Sequence, residues 1–407
     1  MKSILYVLVA LCLVAAAAPG QDRRDKAVFV QPKNEFYDSV RTSLNRFYQK
    51  PAKPRTSLRL DFSTINAPAS VGDFKTQWHN RPVSQAISGM CWCYSTTSFL
   101  ESELRRLFKN EVKLSELYTV YWEYVEKARG FVESRGTTEF GQGSQGNAVF
   151  RSWKKHGIVP AEAYTGLLNG QPFHDHDKMF DEMRAYLFSL KTSSAWAPDE
   201  AERTVRAIMD HYIGAPPAKI VVSGRSMTPV EYARNVLKLN LDDYVLLCSF
   251  THKPYDTMVE YAVPDNWWHS AEYFNIPLEE YMRALKRAIR EGYTMAIWGD
   301  VSEPGLEGHA GLAVVPSFDI PSSFIDEHAR QFRFSNGTTS DDHGIHLVGY
   351  TEMEGKDWFL IKDSGSGSRN NSHPGYYFYH EDYVKLKMLG FMVHRSAIPD
   401  IVARMPK

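Results

Sequence analysis

The stretch Gln85-Ala86-Ile87-Ser88-Gly89-Met90-Cys91-Trp92 constrains this chain more than any other. An uncharged turn with a single glycine delivers Cys91 to the front of an apolar-periodic segment. In that segment Trp92, Tyr94, Phe99, Leu100, Leu104, Leu107 and Phe108 fall on one helical stripe. The spacing predicts a helix over 93–108, with Cys91 in its first turn. Unpaired backbone N–H groups and the positive end of the helix dipole favour a thiolate there. Gln85, six residues upstream, can reach back and donate a hydrogen bond beside the sulfur. A buried structural thiol is the other reading of an isolated cysteine.

The C-terminal half weighs against that second reading. Asp342 to Tyr350 reads as a short apolar strand opened by His343, and Trp358 to Asp363 as a second strand ending in a carboxylate. An antiparallel pair of this length sets a histidine beside an acid. Alternate strand residues face opposite ways, so His343 and His346 cannot both point at one site. Together these residues supply what acyl transfer needs. A cysteine attacks an amide carbonyl as thiolate, and an imidazole stabilises that thiolate and then protonates the leaving amine. A third side chain orients the ring. The Cys91 N–H and the Gln85 amide are placed by sequence to meet a developing oxyanion.

Along the rest of the chain, Lys2 precedes an apolar run from Ile4 to Ala18, followed by Pro19-Gly20 and polar residues. This reads as a secretory signal peptide over 1–20, too short for a membrane anchor, and implies an exported protein, periplasmic or secreted. Only Cys91, Cys93 and Cys248 would remain after cleavage, which is no disulfide framework. A formal net charge of −1 over 407 residues gives no overall field for nucleic acid or an anionic membrane, and no stable membrane insertion is expected. Residues 21–55 read as an N-terminal arm, helical where Phe36, Val40, Leu44 and Phe47 recur, with Pro51 and Pro54 ending the helix. Asp242 to Phe250 and Thr294 to Gly299 are strand candidates, and Leu278 to Ile289 is an amphipathic helix. His174-Asp175-His176 reads as an exposed turn, since a third ligand at metal-site spacing is missing. Trp267-Trp268 reads as loop packing. No lysine follows the glycines of Gly141–Gly146 as a phosphate loop requires. That segment is either a flexible turn or a backbone wall open to close approach by an extended peptide.

Gln85 through Trp92 with Tyr94 and Ser95, the spacing from His343 to Gly349-Tyr350, and Lys362-Asp363-Ser364 resemble the papain-like (C1-like) cysteine peptidases. The fuller match is to their aminopeptidase C or bleomycin-hydrolase branch, reaching from about Phe62 to near the C-terminus. The resemblance implies an α+β, two-lobe fold. A helical left lobe would start at Cys91, an antiparallel β right lobe would hold His343 and Asp363, and a mostly helical insertion would lie at about 160–275 within a domain spanning 56–407. It selects His343 over His346, which becomes a packed histidine behind the site. It makes Gly143, Ser144, Gln145 and Gly146 the peptide-binding wall. The implied activity is thiol-dependent peptide hydrolysis through an acyl-enzyme on Cys91, without metal or organic cofactor, removing N-terminal residues. Endopeptidase or dipeptidyl peptidase action, or an inactive peptide-binding protein, are the alternatives. The branch also implies a homohexamer whose C-terminal tail enters the cleft and pairs with the substrate amine. Here little chain follows Ile398 to Met405, so Asp22, Asp25 or Glu35 of the arm are the candidate amine partners. Two positions depart from the pattern: Asp363 stands where asparagine is usual, and Gly365 where a shielding tryptophan is common. A wetter, weaker His–Asp pair is the expectation.

Overall fold

The structure is a computed structural model and describes residues 25–30, 32–48 and 56–406. The expected signal peptide, Asp22 and the two arm prolines lie outside the described residues.

The helix announced by the cysteine turn runs Cys91–Phe108, two residues earlier than its apolar stripe suggests. Everything from Trp92 to Leu104 is buried, because the helix is covered on both sides. Helices Glu116–Glu133 and Gly146–His156 pack on one flank, and strands His343–Met353 and Met295–Gly299 on the other. Lys109, in the left-handed region, ends the helix, and Arg105 and Arg106 sit in its last turn where the dipole favours cations. The next helix starts at Ser115, whose hydroxyl accepts the Tyr118 N–H at 3.1 Å. Lys113 joins the two helices by bridging Glu101 and Glu116, both buried.

The main sheet runs, edge to edge, Leu306–Glu307, Leu312–Ala313, Tyr376–His380, Lys356–Lys362, His343–Met353, Met295–Gly299, Met388–His394, Tyr244–Cys248, Tyr273–Asn275, Thr257–Val259. The short Lys75–Thr76 strand also pairs with His343–Met353. The sheet is mixed rather than purely antiparallel. Leu312–Ala313 runs parallel to Tyr376–His380, and Tyr244–Cys248 parallel to Tyr273–Asn275. Long connections separate both parallel pairs in sequence, as parallel pairing requires.

The amphipathic helix Leu278–Arg290 buries Leu278, Tyr281, Met282, Leu285, Ala288 and Ile289 in a core shared with Ile345, Leu347, Ile361 and Phe391 of the sheet. At about 1.5–3 kcal/mol per large apolar side chain, that stripe fixes the sheet's outer face. A second, larger core surrounds the cysteine helix and its helical neighbours.

Residues from 160 onward start as the expected helices. Asp177–Ser193 and Pro198–Ile213 pack on Glu116–Glu133. The later part is β: Tyr244–Cys248 falls within the strand expected at Asp242 to Phe250, and Thr257–Val259 and Tyr273–Asn275, not expected as strands, extend the main sheet with it. The arm forms a strand, Ala27–Val30, paired with Ser57–Leu60, and the helix Glu35–Tyr48. That helix buries Val40 and Leu44 against Ala86, whereas Phe47, expected on the same face, is 79% exposed. Among the described residues no helix is long and apolar enough to cross a membrane.

Candidate active site

Cys91 is the first residue of its helix, and Met90 before it offers no side-chain cap. The front of the helix is therefore left to whatever faces it, and that is the start of the His343–Met353 strand. Gly344 makes the approach possible. A Cβ at that position would lie 2.9 Å from Ser95 Oγ, 3.3 Å from Trp92 Cα and 3.4 Å from Trp92 N. The strand thus crosses the first turn of the helix at backbone distance, and the residue before the glycine is His343.

Lys356–Lys362 pairs with this strand so that His346 stands opposite Lys362, and Asp363, one residue on, lies on the diagonal from His343. The His343 Nε2 and Asp363 Oδ1 are 3.0 Å apart, and the Gly365 N–H donates to the same carboxylate oxygen. Burial works against a charged imidazole, but the Asp363 carboxylate and the Cys91 sulfur, through charge and hydrogen bond, outweigh it and hold His343 well above its ordinary pKa. Burial likewise opposes ionised Asp363, and His343, the Gly365 N–H and the Arg369 cation outweigh it and hold the carboxyl below its ordinary value. With Nε2 committed to Asp363, Nδ1 is left for the sulfur.

The expectation of a wet pair is corrected. The side chains of His343 and Asp363 are 11% and 4% exposed. Gly365 contributes no shield, but the loop after it and the arm do. Asn34 donates to Ser366 Oγ, the Phe36 N–H donates to Asn370 Oδ1 at 2.7 Å, and Arg369 lies over the Phe36 ring.

Gln85 is buried and ties the two halves together. Its Nε2 donates to Ser88 O and its Oε1 accepts from Ser364 Oγ, each at 2.7 Å, while its backbone N–H donates to Ser364 O at 3.0 Å. One amide hydrogen is spent on Ser88, which leaves the second. His346 sits behind the site, its Nδ1 at 2.8 Å from Ser98 Oγ, and burial holds it neutral.

Segment 174–176 is not an exposed turn. Its backbone brackets the cysteine turn: the Ile87 N–H donates to His174 O and the His176 N–H to Ile87 O, both at 3.1 Å. Both rings are buried, and burial lowers their pKa to about 4 for His174 and about 3 for His176. Main-chain pairing to a buried turn pulled the histidines inside.

The Gly141–Gly146 loop is fastened rather than flexible. Gln142 Oε1 accepts the Gly89 N–H at 2.7 Å and Gln142 O accepts Trp92 Nε1 at 3.2 Å. Ser144 and Gln145 turn their side chains inward, donating to Glu123 and to Asp341, so only backbone remains for a substrate. Gly146 opens the helix Gly146–His156 against Thr96, while the Cα face of Gly143 is covered by the Asp265 carboxylate. Cys91, His343, Gln145, Gly146, Asp265 and Asp341 line one narrow chamber with about 20 Å³ left for solvent. Asp265 was not legible as a site residue, because it stands alone in a loop without periodicity. Asp341 and Asp342 directly precede His343 and had that adjacency as their only signal. The arm carboxylates are elsewhere: Asp25 is bound to Ser317, and Glu35 is paired with His309.

A cysteine-led helix packed on a sheet that carries the histidine and its carboxylate defines the fold of the papain-like cysteine peptidases. Residues 66–213 match the family described as the Peptidase C1-like family. Aminopeptidase E of Lactobacillus helveticus is 22% identical, over 78% of this chain and 81% of that protein. Aminopeptidase W of Lactobacillus delbrueckii subsp. lactis is also 22% identical, over 78% of this chain and 81% of the relative. The crystal structure of pepw from Lactobacillus rhamnosis HN001 has the same fold, with a TM-score of 0.62 at 18% identity, covering 81% of this chain and 83% of that one.

Proposed function

We propose that this protein hydrolyses peptides through an acyl-enzyme on Cys91 and removes residues from the amino end. The observation that carries the proposal is the uncapped helix front bearing Cys91 beside a His343 held charged by buried Asp363. In that setting the sulfur is a thiolate paired with an imidazolium. The sulfur attacks the carbonyl carbon, and the oxyanion takes hydrogen bonds from the Cys91 N–H and Gln85 Nε2. His343 gives its proton to the leaving nitrogen as the C–N bond breaks, leaving a thioester. Neutral His343 then takes a proton from water, whose oxygen attacks the thioester. The acid departs and the thiolate–imidazolium pair is restored.

Exo-action is supported by the names of the relatives. The test pairs a free-amine peptide with its N-acetylated twin on the purified protein. Stepwise loss of single residues from the free peptide alone is the expected result. Equal internal cleavage of both would replace exo-action by endopeptidase action, and release of dipeptides by dipeptidyl action. A Cys91→Ala variant retaining turnover would remove the thiol mechanism altogether.

The apolar run within residues 1–20 supports export, and amino-terminal sequencing of the mature protein tests it. A homohexamer is carried by the resemblance alone, and sedimentation velocity would settle the number of copies.

A further inference from the structure

Any enzyme that takes one residue at a time must stop the chain just behind the scissile carbonyl and must recognise the ammonium there. An extended chain advances about 3.3 Å per residue, so both tasks fall within one residue of Cys91. Residues 399–404 do not perform them. Ile401 lies in the outer core with Leu278–Arg290, and Arg404 pairs with Glu280 and Asp256.

A different carboxylate occupies the place. Asp265 lines the chamber of Cys91 and His343, and its side chain lies against the Cα of Gly143. A Cβ built on Gly143 would be 2.3 Å from each Asp265 oxygen, so only glycine admits this contact. Asp265 therefore covers the stretch of backbone along which an extended peptide would continue.

Its position is built rather than incidental. Asn266, next in sequence, is buried, and its side chain binds Tyr261 O, Ser270 O and the Ser270 N–H, each at 2.9 Å. Trp267, one further on, donates to Glu123 Oε1 at 2.7 Å, and Arg151 stacks on it and on Trp268. The same Glu123 oxygen accepts from Ser144 Oγ at 2.7 Å. One buried carboxylate thus holds both the loop that bears Asp265 and the wall that Asp265 covers.

The other acids of the chamber are engaged. Asp341 accepts from Gln145, and Asp342 from the Val301 N–H and Ser302 Oγ. The Asp265 carboxylate accepts no hydrogen bond among the described residues, and Lys127, the nearby cation, is fixed on Gly143 O.

Resting on the peptidase reading above, we propose that Asp265 is the anchor for the substrate's α-ammonium and the stop that limits binding to the first residue of a peptide.

Two measurements test it. First, kcat/KM on an aminoacyl amidocoumarin should fall on the order of 10- to 100-fold in Asp265→Asn, mostly through KM, as loss of a charge-assisted hydrogen bond predicts. Cleavage of an N-acetylated dipeptidyl amidocoumarin should hold or rise, and the rate of Cys91 alkylation should not change. A free-amine kcat/KM within twofold of the unsubstituted protein, or equal loss on both substrates, overturns the proposal. Second, calorimetry on the Cys91→Ser protein should detect leucinamide but not N-acetyl-leucinamide, and Asp265→Asn added to it should abolish the leucinamide signal. Leucinamide bound without turnover in the unsubstituted protein would remove the peptidase reading and keep the anchor. Turnover with no amine preference would keep the peptidase and remove the anchor.

Discussion

Replacing Asp265 by asparagine should stabilise the protein. Burial pushes this carboxyl up to about 6 from an ordinary 3.8; Lys127 opposes the rise, and Glu139 and Glu123 add to it. Asp341 faces the same group from the segment before the histidine strand. The acid is raised in the folded state, so between pH 3.8 and about 6 the folded chain holds a proton that the unfolded chain has released. Stability therefore falls as pH rises through that window, and above it the full penalty persists. At 1.36 kcal/mol per pKa unit the penalty is about 3 kcal/mol at pH 7.5. At pH 5 it is about half of that. Asparagine, equal in shape and uncharged, removes it. Unfolding entropy for a chain of this length is roughly 0.8 kcal/mol per degree, so Tm should rise by about 3–4 °C at pH 7.5 and by about 2 °C at pH 5. Differential scanning calorimetry at both pH values reads this directly. A lower Tm at pH 7.5, or the same gain at both pH values, would refute the reasoning, because a gain from packing alone has no pH dependence. A destabilised charge kept beside the nucleophile is what a binding site costs.

Three other predictions follow from the geometry. Iodoacetamide near neutral pH should modify Cys91 at least about 100-fold faster than Cys93 or Cys248, since burial pushes both of those thiols up, Cys248 to about 12; equal rates by peptide mass mapping would contradict this. Asp363→Asn should keep kcat/KM within about tenfold, or about 1.4 kcal/mol, because its carbonyl can still accept from His343 and Gly365, while Asp363→Ala should lose more. The alkaline limb of the Asn variant should move to lower pH, because the imidazolium loses its negative neighbour, and an unmoved limb would separate Asp363 from the chemistry. Gly344→Val should lower kcat on the order of 100-fold in a folded protein, since its side chain would push the histidine strand off the Trp92 backbone; wild-type kcat would show that the strand can yield.

Local chemistry decided which parts were legible in the sequence. The cysteine turn and the two strands bearing His343 and Asp363 carry their signal within a few residues, and the structure brings them together. The amphipathic stripe of Leu278–Arg290 was equally plain, because one period described both its pattern and its burial. Contacts between distant segments were not legible. His174 and His176 looked polar and therefore exposed, and only pairing with Ile87, far away in sequence, put them inside. Phe47 continued the apolar face by its period, but the end of the helix that carries it stays largely in solvent. The absent tryptophan at Gly365 suggested exposure, but the cover comes from the arm, whose docking on Ser366 and Asn370 leaves no periodic trace. Asp265 is the extreme case, a single acid made significant only by the glycine it touches.

The docking of the arm bears on where this protein can be cut. Val40 and Leu44 rest on Ala86 at the back of the cysteine turn, while Asn34 and Phe36 hold the loop that follows Asp363. A single brace thus presses on both halves of the reactive centre from outside the region matched to the family. A recombinant chain started at residue 56 would keep Cys91, His343 and Asp363, yet it would bare Ala86 and release the Ser366–Arg369 loop together. Trimming away the arm would therefore give a weakened enzyme, and a start ahead of Asn34 retains the brace.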